Sequence, residues 1–199
     1  MKTFPLSLLS LTPLFLLCLG CEPAEEKEDE PEVIEYATLS VEAASEGEGG
    51  AVAMTASMCS SDADTGFFEG SFTADDGSLL TIKIKGFSTS GGSYTCSQAA
   101  DNATGEVGNK FDGCSVELVI PDVTTSLNTY ALHRSSVDVK DFTYAGTCTI
   151  STTYAEPQVS GTISCTGLVQ TDFQGAPRNP IDPSATAGIV GDSSFFCEI

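Results

Sequence analysis

Basic side chains are scarce: 8 Lys and Arg stand against 28 Asp and Glu in 199 residues, a formal net charge of −20. Binding a phosphate backbone needs clustered Lys and Arg, which excludes nucleic acid as a partner. Electrostatic docking on anionic lipid fails for the same reason. One histidine is present, too few for a His-rich metal centre, and tryptophan is absent. Without Trp, the largest ring on which a sugar could stack is missing. Helical patterning is thin, and no strand-helix-strand rhythm appears, which argues against a parallel α/β enzyme fold. What remains is ordinary in amount: 41% hydrophobic residues, close to a globular average. The length fits a single domain of roughly 100–200 residues.

The longest apolar run stands at the start. Lys2 is followed by an apolar, Leu-rich stretch from Phe4 to Leu19, which ends at Cys18-Leu19-Gly20-Cys21, and Glu22 is the next charge. A positive start, an apolar middle and a small residue at the cut describe a secretory signal. A retained membrane helix is the alternative. Pro5 and Pro13 interrupt the stretch and an acidic run follows it, which favours the signal. The segment resembles the lipobox of bacterial lipoproteins at Gly20 and Cys21, although Cys18 stands where Leu is usual and Leu19 where Ala or Ser is usual. The resemblance implies cleavage after Gly20, acylation (palmitate or a similar chain) of Cys21, and attachment to the membrane through this N-terminal lipid. Each buried CH₂ contributes about 0.8 kcal/mol, and two or more chains hold stably.

Residues 22–35 hold eight acids and one Lys, with Pro23 and Pro31. Like charges repel and proline disfavours helix, so this reads as an extended stalk. Fourteen residues reach at most roughly 50 Å. An acidic run beside the acylated Cys also resembles the surface-export signals of some bacterial lipoproteins, which implies the outer membrane or cell surface. The expected organisation is a signal over 1–20, a lipidated Cys21 with acidic stalk over 21–35, and a β domain over 36–199.

From Tyr36 onward the chain alternates with a period of two, the signature of strands with one buried face. Leu80, Ile82 and Ile84 alternate with Thr81, Lys83 and Lys85; Val116, Leu118 and Ile120 repeat the pattern. Val52, Met54, Ala56 and Met58 share one parity, as do Phe142, Tyr144, Cys148 and Ile150, and then Val159, Gly161, Ile163 and Cys165. Tyr130 with Leu132 is shorter, and 195–199 forms a last strand. Gly and Asp clusters punctuate these runs. The stretch from Thr171 to Gly191 alternates little and reads as a long loop, and residues 36–41 fit either a first strand or the end of the stalk. The fold class predicted is all-β: an antiparallel β-sandwich or open barrel.

Apart from Cys18 and Cys21, six cysteines remain: Cys59, Cys96, Cys114, Cys148, Cys165 and Cys197. Export places them in an oxidising compartment, where an even count implies disulfides. Six cysteines allow fifteen pairings. If Tyr154 faces Val159 across Glu156-Pro157, Cys148 faces Cys165 at a spacing that a disulfide can bridge. Cys96 and Cys114 flank a polar loop whose closure contributes about 3 kcal/mol. Cys59 with Cys197 then ties an early strand to the last. No CxxC occurs among the six, which disfavours zinc and redox catalysis.

Chemical centres are weakly signalled. Asp62, Asp64 and Glu69 suggest the start of a calcium loop, but Gly66, Phe67 and Thr73 stand where a third oxygen ligand, Gly and Glu belong. Asp and Asn also make turns for purely structural reasons. Gly191-Asp192-Ser193-Ser194 and His133 suggest a serine hydrolase only superficially, because the strand-turn-helix elbow around the nucleophile is missing. Asn102-Ala103-Thr104 fits a glycosylation sequon, discounted because the lipobox points to a bacterium. Tyr36, Tyr94, Tyr130, Tyr144 and Tyr154 could line a sugar platform, or simply pack at strand parity.

The order Val159 to Cys165, a Pro-containing stretch, then Phe195-Phe196-Cys197 is similar to the tail of the mycobacterial 19-kDa lipoprotein antigen group. The resemblance implies a small β-sandwich lipoprotein, a link between Cys59 and Cys197, and no catalytic residue to carry over. Four additional cysteines and a more acidic linker depart from that group. The expected function is therefore a lipid-anchored cell-envelope lipoprotein with a non-enzymatic, disulfide-stapled β domain, needing no cofactor. A calcium- or glycan-binding surface module is the alternative, and an envelope hydrolase a third. The protein or glycan ligand is left open.

Overall fold

A computed structural model describes residues 34–43, 49–62, 64–97, 113–122, 126–132, 146–171 and 180–199. They form ten strands: β1 (Tyr36–Ala43), β2 (Gly49–Asp62), β3 (Phe67–Thr73), β4 (Leu79–Lys85), β5 (Gly92–Ser97), β6 (Cys114–Pro121), β7 (Leu127–Ala131), β8 (Thr147–Ala155), β9 (Gln158–Thr171) and β10 (Pro180–Glu198). All ladders are antiparallel. The order β10-β1-β2-β3-β4-β6-β7-β9 returns to β10 through a further β9–β10 ladder. Eight strands thus close into a barrel, with β8 and β5 added beyond β9.

Of the two architectures expected from the alternation, the barrel is observed, and closed rather than open. The reason lies in β10. It pairs with β9 from Pro180 to Glu198 on one edge and with β1 from Ala187 to Phe196 on the other. A strand with two partners along its length leaves no separate second sheet. The stretch Thr171 to Gly191 is accordingly not all loop, since β10 already begins at Pro180. Its register shifts four times against β9, and such bulges erase the period-two pattern on which strand recognition relies. Tyr36–Ala43 is a strand, which settles the boundary left open at 36–41. β3 and β5 are further strands that the sequence reading did not single out.

One parity fills the interior. Phe68 and Phe72 of β3, Leu80, Ile82 and Ile84 of β4, and Val116 and Leu118 of β6 are fully buried. So are Ile150, Val159, Ile163 and Phe195 from the opposite wall, the last two at 1% exposure. An eight-stranded barrel is just wide enough for side chains to fill it. The ring of Phe195 lies 6.1 Å from that of Phe68 and 6.0 Å from that of Phe72, centroid to centroid. Room for it comes from Gly161, where an added Cβ would stand 2.5 Å from the Phe195 ring and 2.7 Å from the Ser151 carbonyl oxygen. The expected parity fails once. A register shift between Ala56 and Met58 inserts an extra residue, and Met58 turns outward, 45% exposed. Phe142 and Tyr144 lie outside the described residues.

The β8–β9 hairpin has the register read from the sequence: Tyr154 opposite Val159, Ile150 opposite Ile163, Cys148 opposite Cys165. β7 takes the upper part of β9, at Val169 to Thr171, while β8 takes the lower part, from Gln158 to Thr166.

Candidate functional site

The three disulfides are Cys148–Cys165, Cys96–Cys114 and Cys59–Cys197, the pairing the spacing favoured. Their positions differ in consequence. Cys148–Cys165 cross-links two strands already hydrogen-bonded to each other. Cys96–Cys114 joins β5 to β6, which share no ladder, and so staples a seam that backbone hydrogen bonds do not close. Cys59–Cys197 connects β2 to β10, the two strands that flank β1. It lies beside the point where the chain enters β1. There the Glu35 carbonyl accepts from the Ala56 N–H at 3.2 Å, and the Glu35 carboxylate accepts from the Glu198 N–H.

Two of the three calcium candidates, Asp62 and Glu69, have protein partners. The Asp62 carboxylate accepts from the backbone N–H of Asp64 at 3.0 Å and of Thr65 at 3.3 Å. Hydrogen bonds from Thr65, side chain first and then backbone, hold its carboxyl below the ordinary value of 3.8. Glu69 pairs instead with Lys83 of β4 at 2.9 Å. Among the described residues, Glu35, Cys59 and Cys197 form the group of potential ligand atoms that converge within 4.8 Å; its two sulfurs are bonded to each other.

Ser193 is 2% exposed. Its hydroxyl donates to the Val190 carbonyl at 2.7 Å and accepts from the Ser40 N–H at 2.9 Å. It sits at the β10 bulge, where the β1 ladder also skips a residue between Thr38 and Ser40. The side chain replaces the backbone partner that the bulge takes away from Ser40. This hydroxyl is a structural plug, with both its donor and an acceptor position in use. His133 lies outside the described residues, as do Asn102 and Cys21. Tyr130 is buried in the barrel, and the Tyr94 hydroxyl oxygen accepts from the Ser88 N–H at 2.9 Å.

The outer surface of β5, β8 and β9 is the feature that sequence reasoning missed. None of these strands contains Asp, Glu, Lys or Arg. Thr147, Thr149, Ser151 and Thr153 of β8 stand opposite Thr166, Ser164, Thr162 and Ser160 of β9, and all eight are exposed. On β5, exposed Ser93 and Thr95 face Ser151 and Thr149. One row continues from Thr162 to Ser194 of β10 and Thr38 of β1. The next row runs Thr153, Ser160, Phe196, Tyr36. Tyr36 and Phe196 stack at 6.0 Å with planes 19° apart. The signal was in plain view, as the second parity of the runs Thr147–Thr153 and Ser160–Thr166.

This distribution is the reverse of a membrane-spanning barrel, which carries an apolar band outside. A shallow cleft of about 300 Å³ between β9 and β10 is lined by Cys165, Gly167, Gly188 and Val190, with Glu42 as its single ionisable side chain. Comparison with known protein families, with curated proteins and with solved structures finds no match to this chain.

Proposed function

We propose that this chain is a lipid-anchored lipoprotein of a bacterial cell envelope, which displays a non-enzymatic, disulfide-stapled β-barrel at the end of an acidic spacer. The observation that carries the reading is the complete pairing of Cys59, Cys96, Cys114, Cys148, Cys165 and Cys197. Three disulfides suit an exported protein and not a reducing cytosol. Of the eight cysteines, these six are consumed, and Cys21 stands in the lipobox-like segment after Gly20.

The entry point of the barrel supports the same reading. A tether at Cys21 would pull on the first described strand. Here that strand, β1, is held by ladders on both edges, and its two neighbours are joined covalently by Cys59–Cys197. Load from a lipid at Cys21 would pass into a closed barrel and not into a frayed edge. The buried Ser193 hydroxyl, bonded to the Ser40 N–H and the Val190 carbonyl, supports the non-enzymatic reading.

The test is Cys21→Ser followed by cell fractionation. The native chain partitions with membranes and into detergent; the variant is released in soluble, exported form. Retention of the Ser variant in the membrane fraction would contradict acylation and point to a retained helix.

A further inference from the structure

We propose that the outer face of β5, β8 and β9 binds a neutral polysaccharide chain, with the Tyr36–Phe196 pair as its stacking end. The proposal deepens the display reading by naming what the displayed domain meets.

The absence of charge on this face needs a cause. The protein carries a net charge of −20, and solvent-facing strand positions readily take charge. On the other side of the same barrel, Glu69 and Lys83 occupy the outward positions of β3 and β4. Threonine suits strands, but that preference alone does not explain eight successive outward positions on β8 and β9 with hydroxyls and nothing else. A hydroxyl both donates and accepts, as do the hydroxyls of a sugar, so the two surfaces match whichever way each group points.

Charge decides the class of partner. An acidic polymer would be repelled by the domain and would find no Lys or Arg on this face to pair with. A basic one would find no carboxylate there. Geometry decides between a crystal lattice and a flexible chain. Neighbouring strands lie about 4.8 Å apart and outward residues about 6.8 Å apart along a strand, but each strand is rotated by about 20–25° from the next. A rigid planar lattice cannot follow that twist, whereas a single polysaccharide chain can. The row Ser93, Ser151, Thr162, Ser194, Thr38 crosses five strands, a path of about 19 Å. Tyr36, 44% exposed, and Phe196 provide apolar ring faces for the C–H side of a pyranose.

Affinity electrophoresis of the purified full-length chain in native gels tests this. The gels contain dextran, hydroxyethylcellulose or galactomannan as neutral polymers, or alginate as an acidic one. At least one neutral polymer should retard the protein and alginate should not. Ser151→Glu with Thr162→Glu should weaken retardation at least tenfold, while Thr73→Glu, an exposed strand position outside the face, should leave it unchanged. Tyr36→Ala, at an exposed position, should weaken it separately. Migration unaffected by all three neutral polymers, equal retardation by alginate, or retardation that survives both face variants would overturn the proposal. Because the purified chain is assayed whatever fraction it came from, failure here leaves the lipid anchor standing, and release of Cys21→Ser leaves this face untouched.

Discussion

The barrel has two unlike outer surfaces. On β3 and β4 the outward positions include Glu69 and Lys83, which pair across strands at 2.9 Å, and Glu117 follows on β6. On β8 and β9 the equivalent positions from Thr147 to Thr153 and from Ser160 to Thr166 are serine and threonine throughout. Both regions bury the same kind of interior, Phe68 and Ile82 on one wall and Ile150 and Ile163 on the other. Packing therefore fixes the inward parity in both places and leaves the outward parity free. Where the free parity is as restricted as it is on β8 and β9, the restriction reports something other than the fold.

That contrast can be broken from inside or from outside, and the inside should cost most. Removing Cys59–Cys197 by a double Ser substitution reopens a loop with a sequence separation of 138. The chain-entropy account gives a loss of about 4–5 kcal/mol, against about 3 kcal/mol for either of the two shorter loops. Urea denaturation of the three double variants should rank them in that order; equal losses would contradict it. Gly161→Val comes next. The new side chain meets the Phe195 ring and the Ser151 carbonyl, an overpacking loss of about 3 kcal/mol, measured by the same denaturation. Ser193→Ala strands the Ser40 N–H at the bulge and should cost about 1–2 kcal/mol. Outward changes such as Thr149→Glu should stay within about 0.5 kcal/mol, and a larger loss would mean that the hydroxyl face is structural.

The smallest effect concerns pH. The Asp62 carboxyl is held below its ordinary value by the Thr65 hydrogen bonds. A depressed folded value means that the charged form is favoured in the native state. Its contribution is present above the ordinary carboxylate range and is lost as pH falls through the lowered value. An NMR titration should place its midpoint below 3.8, and Thr65→Val should move it upward; no movement would remove Thr65 as the cause.

Much of this was legible in the sequence because alternation is a strong signal where strands are regular. The β8–β9 hairpin, its register and its disulfide all followed from the symmetric placement of Cys148 and Cys165 about Glu156-Pro157. Legibility ended at bulges. Met58 carried the inward parity of Val52, Met54 and Ala56 until a register shift turned it out. β10 was hidden from Pro180 to Gly191 by its repeated shifts against β9. Barrel closure could not be read either, since it depends on β10 holding two partners that lie far apart in the chain. The hydroxyl face was written in the residues, but only the register of β5, β8, β9, β10 and β1 joins them into rows.

An acylated Cys21 and six paired later sulfurs together define an exported, tethered barrel, and intact mass spectrometry of the chain purified from its own membranes reads both at once. The expected species starts at Cys21, carries added acyl mass at that residue, and gains six hydrogens on reduction as three disulfides open. An unmodified amino terminus upstream of Cys21, or a mass that reduction does not change, would contradict it.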